Sequence, residues 1–147
     1  MSFVGIVANP ASGKDISRLV SQATVVSNNE KVSIVRRLLL ALQAAGVRRV
    51  EIMPDPYGIG LRALAGLRDR PEVVDATSLI DMRVEHTADD SVRAARYLCA
   101  AGASCIIILG GDGTCRAVAK TAGEVPLLPL STVTPTHPKP ETPIPFS

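Results

Sequence analysis

The pentapeptide Cys105-Ile106-Ile107-Ile108-Leu109 runs straight into Gly110-Gly111-Asp112-Gly113-Thr114, and a helical pattern follows from about Cys115 to Ala122. A strand with no polar face must be covered on both sides, which is the situation of an interior strand in a parallel sheet. Phe3-Val4-Gly5-Ile6-Val7-Ala8 has the same character and ends at Asn9-Pro10. Two such strands, each leaving into a small polar loop, restrict the chain to layered α/β architectures.

The intervening segments alternate accordingly. Val32, Val35, Leu39 and Leu42 recur at helical spacing between about Glu30 and Ala45, and Gly46 stands where a C-terminal stop belongs. Val50–Met53 reads as a strand closed by Pro54 and Pro56, followed by a weaker helix from about Gly60 to Arg68 and a strand within Val73–Met82. A short helix from Asp15 is also expected. Thr87 with Asp90 reads as a capping box, Asp89 with Arg93 as a favourable i,i+4 pair, and Val92, Ala95 and Cys99 as the inner stripe of a helix stopped by Gly102. Val125–Leu130 offers one more strand. The expected fold is a doubly wound, mostly parallel sheet over residues 1–130, with helices on both faces and ligands outside the carboxyl ends of the strands. From Ser131 onward Pro135, Pro138, Pro140, Pro143 and Pro145 remove backbone donors, so residues 131–147 are expected to be a disordered or polyproline-like tail.

Composition narrows the function classes. A formal charge of +2 gives no reason to expect nucleic acid or an anionic membrane as partner. The pairs Arg36-Arg37 and Arg48-Arg49 read as solvated positions. No secretory leader and no apolar run of membrane-spanning length is present, so the expected location is cytoplasmic. Cys99, Cys105 and Cys115 fit neither a disulfide framework nor a zinc spacing. Cys115 alone opens a helix beside a glycine loop, a place where a thiol pKa can fall.

Chemistry concentrates in the two loops. Gly110, Gly111 and Gly113 let backbone approach a ligand where a Cβ would collide, and a helix that opens there aims its N–H groups at an anion. A carboxylate beside phosphates needs a use: Asp112 can accept a proton from an attacking hydroxyl or hold Mg²⁺ against the phosphates. Thr114 can cap the helix or bind a phosphate. The plain alternative is a tight turn in which Asp112 only caps the helix. The dinucleotide fingerprint would need glycine at Arg116, and Walker A would need glycine at Ala8 and Ser or Thr at Asp15, so neither is present. Lys14 can offer a point charge. His86 reads as a solvated residue ahead of a helix.

Asn9-Pro10-Ala11-Ser12-Gly13-Lys14 after the first strand, paired with Gly110-Gly111-Asp112-Gly113-Thr114, resembles the ATP-NAD kinase and diacylglycerol kinase superfamily. Asn28-Asn29-Glu30-Lys31 and Met53-Pro54-Asp55 look closest to its acetoin-catabolism protein X branch. The resemblance covers roughly residues 3–132. It implies ATP as phosphoryl donor with Mg²⁺, NAD as acceptor, Asp112 as the base, and Gly110, Gly111, Gly113 and Thr114 as nucleotide-binding residues. Asn9, Ser12, Gly13 and Lys14 match the family's first phosphate-side loop, and no protein metal ligands are assigned. It also admits a lipid kinase, a truncated non-catalytic nucleotide-binding domain, and a homo-oligomer. Such proteins are expected to continue past Ser131-Thr132 into a second, β-rich domain. The proline tail here instead resembles a truncation or frameshift, which would leave an incomplete half-enzyme.

Overall fold

The structure, a computed structural model, describes residues 2–10, 23–25, 27–130 and 133–135. Its centre is a five-stranded parallel sheet built from β1 (Val4–Ala8), β3 (Val50–Ile52), β4 (Thr77–Leu79), β5 (Cys105–Leu109) and β6 (Leu127–Leu130), in the order β4-β3-β1-β5-β6. Between the strands lie α1 (Asn28–Ala44), α2 (Ile59–Ala65), α3 (Pro71–Ala76), α4 (Asp89–Ala101) and α5 (Asp112–Ala122). The mostly parallel sheet expected from the apolar runs is therefore present.

Alternation along the strands feeds two cores. Val4, Ile6 and Ala8 of β1, with Val50, Ile52, Ile107 and Leu109, pack under Val32, Val35 and Leu39 of α1, Ile59 and Ala63 of α2, and Val73 of α3. Phe3, Val7, Met53, Ile106 and Ile108 face the other way, against Ala94, Ala95 and Leu98 of α4 and Val118 of α5. At Gly5 the approach of α4 is close: a Cβ there would lie 2.6 Å from Leu98 Cδ1.

This arrangement fixes a switch point. The chain winds outward from β1 through β3 to β4 with its helices on one face, then crosses back and builds β5 and β6 with helices on the other. Neighbouring strands β1 and β5 thus send their connections in opposite directions, which opens a crevice above their carboxyl ends.

Several local expectations are corrected. The segment before β4 is not all strand: Pro71 opens the short helix α3, and only Thr77–Leu79 pair. The Thr87–Asp90 box does not form. Thr87 Oγ1 accepts from Asp89 N at 3.2 Å, while the buried Asp90 carboxylate accepts from Glu85 N and His86 N at 3.0 and 2.9 Å. Arg93 pairs with Asp90 and Glu85 rather than with Asp89. A complete capping box does stand at α1, where Ser27 and Glu30 exchange side-chain and backbone hydrogen bonds. The inner stripe of α4 is Asp90, Ser91, Ala94, Ala95 and Leu98, with Val92 and Cys99 on its margins. The helix from Asp15 lies outside the described residues. Of the tail, Val133–Pro135 (β7) pair antiparallel with Ala23–Val25 (β2), with Pro135 at the end of that ladder.

Candidate active site at the switch point

The register between β1 and β5 ends on Ala8 opposite Leu109, so Asn9 and Gly110 leave the sheet side by side. The two loops singled out in the sequence therefore begin at neighbouring points, flanking the crevice. Ser12, Gly13 and Lys14 lie outside the described residues.

On the β5 side the turn into helix is immediate. Gly110 N donates to Leu130 O at 3.2 Å, Gly111 is the N-cap of α5, and Asp112 is its first residue. A Cβ on Gly110 would meet Thr114 Cβ at 3.0 Å, a tight approach that favours glycine on packing grounds. Gly113 is different: a Cβ would meet nothing within 4 Å, and its φ is not positive. Among the described residues nothing gives a reason for glycine at this exposed helical position, where it costs about 0.5–1 kcal/mol relative to alanine. Because the N-cap is Gly111, no side-chain hydrogen bond caps α5. Asp112 is exposed and Thr114 is half-buried beside it. The reading of Asp112 as a mere cap loses its support, and the end of α5 stays open to an anion.

The β1 side is closed. Asn9 is buried, and its Nδ2 donates to Thr87 O at 2.9 Å and to Ser91 Oγ at 3.1 Å. Behind it stands Lys31, fully buried, whose Nζ donates to Asn9 O at 3.1 Å. Sequence reasoning missed Lys31, because a lysine in the first turn of a helix reads as solvated. The Ser27–Glu30 capping box was the available signal, since it sets the phase that turns Lys31 inward. Asp55, at the end of β3, accepts from Gly58 N at 2.8 Å and Ile59 N at 2.9 Å. Burial raises its pKa, against the pull of those N–H groups and of the Lys31 charge.

Cys115 does not have the lowered pKa its place beside the loop suggested. Burial pushes the thiol up, and the Asp112 charge adds to that. An open cleft of about 370 Å³ runs from Asp112 along Cys115, Arg116 and Ala119 to Leu127 and Pro129. Among the described residues, no group of three or more His, Cys, Asp or Glu side chains could hold a metal ion, and no helix is long and apolar enough to cross a membrane.

The family model of the ATP-NAD kinase N-terminal domain matches residues 4–137. The chain belongs to the ATP-NAD kinase family. It is also 45% identical, over 134 residues, to acetoin catabolism protein X of Cupriavidus necator; that alignment covers 89% of this chain and 37% of the relative. The chain thus spans 37% of the length of that family member. No solved structure matches it.

Proposed function

We propose that the crevice between β1 and β5 binds ATP and that the family activity here is phosphorylation of NAD to NADP. The observation that carries this reading is the uncapped start of α5, with a needless glycine at 113 and an exposed carboxylate at 112. Phosphate oxygens suit the N–H groups and the helix dipole at such a start, and the missing Cβ leaves room for them. The residues present also fit a divalent cation. Mg²⁺ is commonly held by one or two carboxylates together with substrate phosphates, and Asp112 would offer such a carboxylate where it does not serve as the base. When bound, the cation supplies charge neutralisation on the phosphates.

The rest falls to the chain's own groups. Gly110, Gly111, Gly113 and Thr114 form the phosphate cradle, joined by Ser12, Gly13 and Lys14 of the first loop. Asp112 accepts the proton of the ribose 2′-hydroxyl as its oxygen bonds to the γ-phosphorus. The bond from that phosphorus to the leaving ADP oxygen breaks in the same displacement.

The test incubates the chain with γ-labelled ATP and either NAD or diacylglycerol, alongside calorimetric titration with ATP. Label recovered in NADP is the expected result. Label in diacylglycerol instead would replace the acceptor by a lipid. Binding without transfer to either would make the chain a nucleotide-binding domain, and no binding at all would remove the proposal.

A further inference from the structure

We infer that Lys31 and Asn9 are positioning residues that lock the exit of β1 against the wall of the site; this rests on the nucleotide reading above. Four of the five buried polar or charged residues described, namely Asn9, Lys31, Asp90 and Ser91, gather at this one end of the sheet. The fifth, Glu51, lies in β3, and the rest of the described core is apolar.

Their hydrogen bonds tie separate elements together. Lys31 Nζ, from the first turn of α1, holds the Asn9 carbonyl at 3.1 Å. Asn9 Nδ2 holds the Thr87 carbonyl and the Ser91 hydroxyl at the start of α4. Asp90, from the same turn, accepts from Glu85 N and His86 N and so keeps His86 at a φ of 66°. The backbone leaving β1 is thereby gripped through its carbonyl from α1 and through its side chain from α4. The arm Glu85–Thr87 is gripped from both of its ends.

An apolar side chain would fill the place of Lys31 without the desolvation cost of a buried ammonium. What it could not supply is direction, since dispersion contacts do not fix a carbonyl and hydrogen bonds do. The carbonyl so fixed belongs to the residue beside Gly110 across the switch point. Displacing it displaces the wall opposite Asp112. The amide of Asn9 thus serves the site by holding backbone, with its Nδ2 turned to α4 and not to a phosphate.

The experiment compares the full chain with Lys31→Met and with the milder Ser91→Ala, which removes one acceptor of the Asn9 amide. Amide hydrogen exchange is followed residue by residue, and ATP and adenosine are titrated separately. In Lys31→Met, exchange at Asn9 and at Glu85–Thr87 is expected to quicken at least about tenfold while β3 and the later turns of α5 keep their rates. ATP affinity falls about tenfold and adenosine affinity holds, since only phosphate contacts depend on the exit. Ser91→Ala gives the same pattern with a smaller amplitude, and it decides the matter if Lys31→Met does not fold. Unchanged exchange in both segments would overturn the inference, as would an equal rise over the whole chain, which is the mark of general destabilisation. If the unaltered chain binds no ATP, the nucleotide reading fails by itself, and the exchange data still judge the positioning.

Discussion

At the carboxyl end of β1, Asn9 is buried, its amide bonded to Thr87 and Ser91 and its carbonyl to Lys31. One strand away, at the carboxyl end of β5, Asp112 stands exposed at the head of a helix that no side chain caps. The two ends share a register and a switch point, yet one turns its polar groups inward on the protein and the other exposes its carboxylate. The phosphoryl transfer proposed above needs both. Reacting groups can be held in line only if the backbone facing them does not yield.

The hardest test of the contrast is at the open end. Asp112→Asn, made here and at the counterpart in a full-length relative, should lower NAD phosphorylation by about 10²–10⁴-fold, the usual share of a general base. ATP affinity by calorimetry should barely move. Equal turnover in the variant would remove Asp112 from proton transfer and with it the chemical half of the comparison.

Stability should fall at the closed end and rise at the open one. Asn9→Ala takes the amide donor away from the buried Ser91 hydroxyl and is expected to cost about 1–3 kcal/mol in denaturant unfolding. Gly113→Ala should do the reverse, raising stability by about 0.5–1 kcal/mol through helix propensity while weakening ATP binding. A Gly113→Ala protein that binds ATP as before would show that no ligand approaches this backbone, and the reason given for its glycine would fall.

How much of this could be read from the residues alone follows the same division. The open end was fully legible: an apolar strand, a run of glycines and a helix give their own position in an α/β sheet. So was α1, whose Val32, Val35 and Leu39 mark its buried face. The closed end was not. Asp90 matches the spacing of a capping box but is used on Glu85 and His86, because the loop folds back over the helix start and only tertiary structure brings those amides within reach. Lys31 looks like any surface lysine until the first turn of α1 is docked on β1. α3 was hidden by its length: six residues are too few to show a helical period, and Val73-Val74 resembles a strand.

Between the two ends lies Asp55, which sharpens the comparison through pH. Burial holds its folded pKa above the ordinary value. A raised carboxylate gives stability that is complete below the unfolded pKa, near about 4, and is lost as pH climbs through the folded one. Asp55→Asn should therefore flatten the fall in stability on the alkaline side of that window. The carboxylate is only half-buried and screened by solvent, so the change should be smaller than that of Asn9→Ala. A steeper pH dependence in the variant would mean that the N–H groups of Gly58 and Ile59, and not burial, govern this residue.

The smallest expected effect reports on the open end without any ligand. All three thiols are pushed up by burial, but only Cys115 also feels the charge of Asp112. Asp112→Asn should then lower the Cys115 pKa alone and speed its alkylation near neutral pH, with Cys99 and Cys105 as internal controls. The gain is limited, because a thiolate of lower pKa is also a weaker nucleophile, and the two tendencies leave about a two- to threefold rise. A rise shared by all three cysteines would indicate a loosened fold. No rise at Cys115 would mean that the Asp112 carboxylate is turned away from its own helix, into the space where the phosphates are proposed to lie.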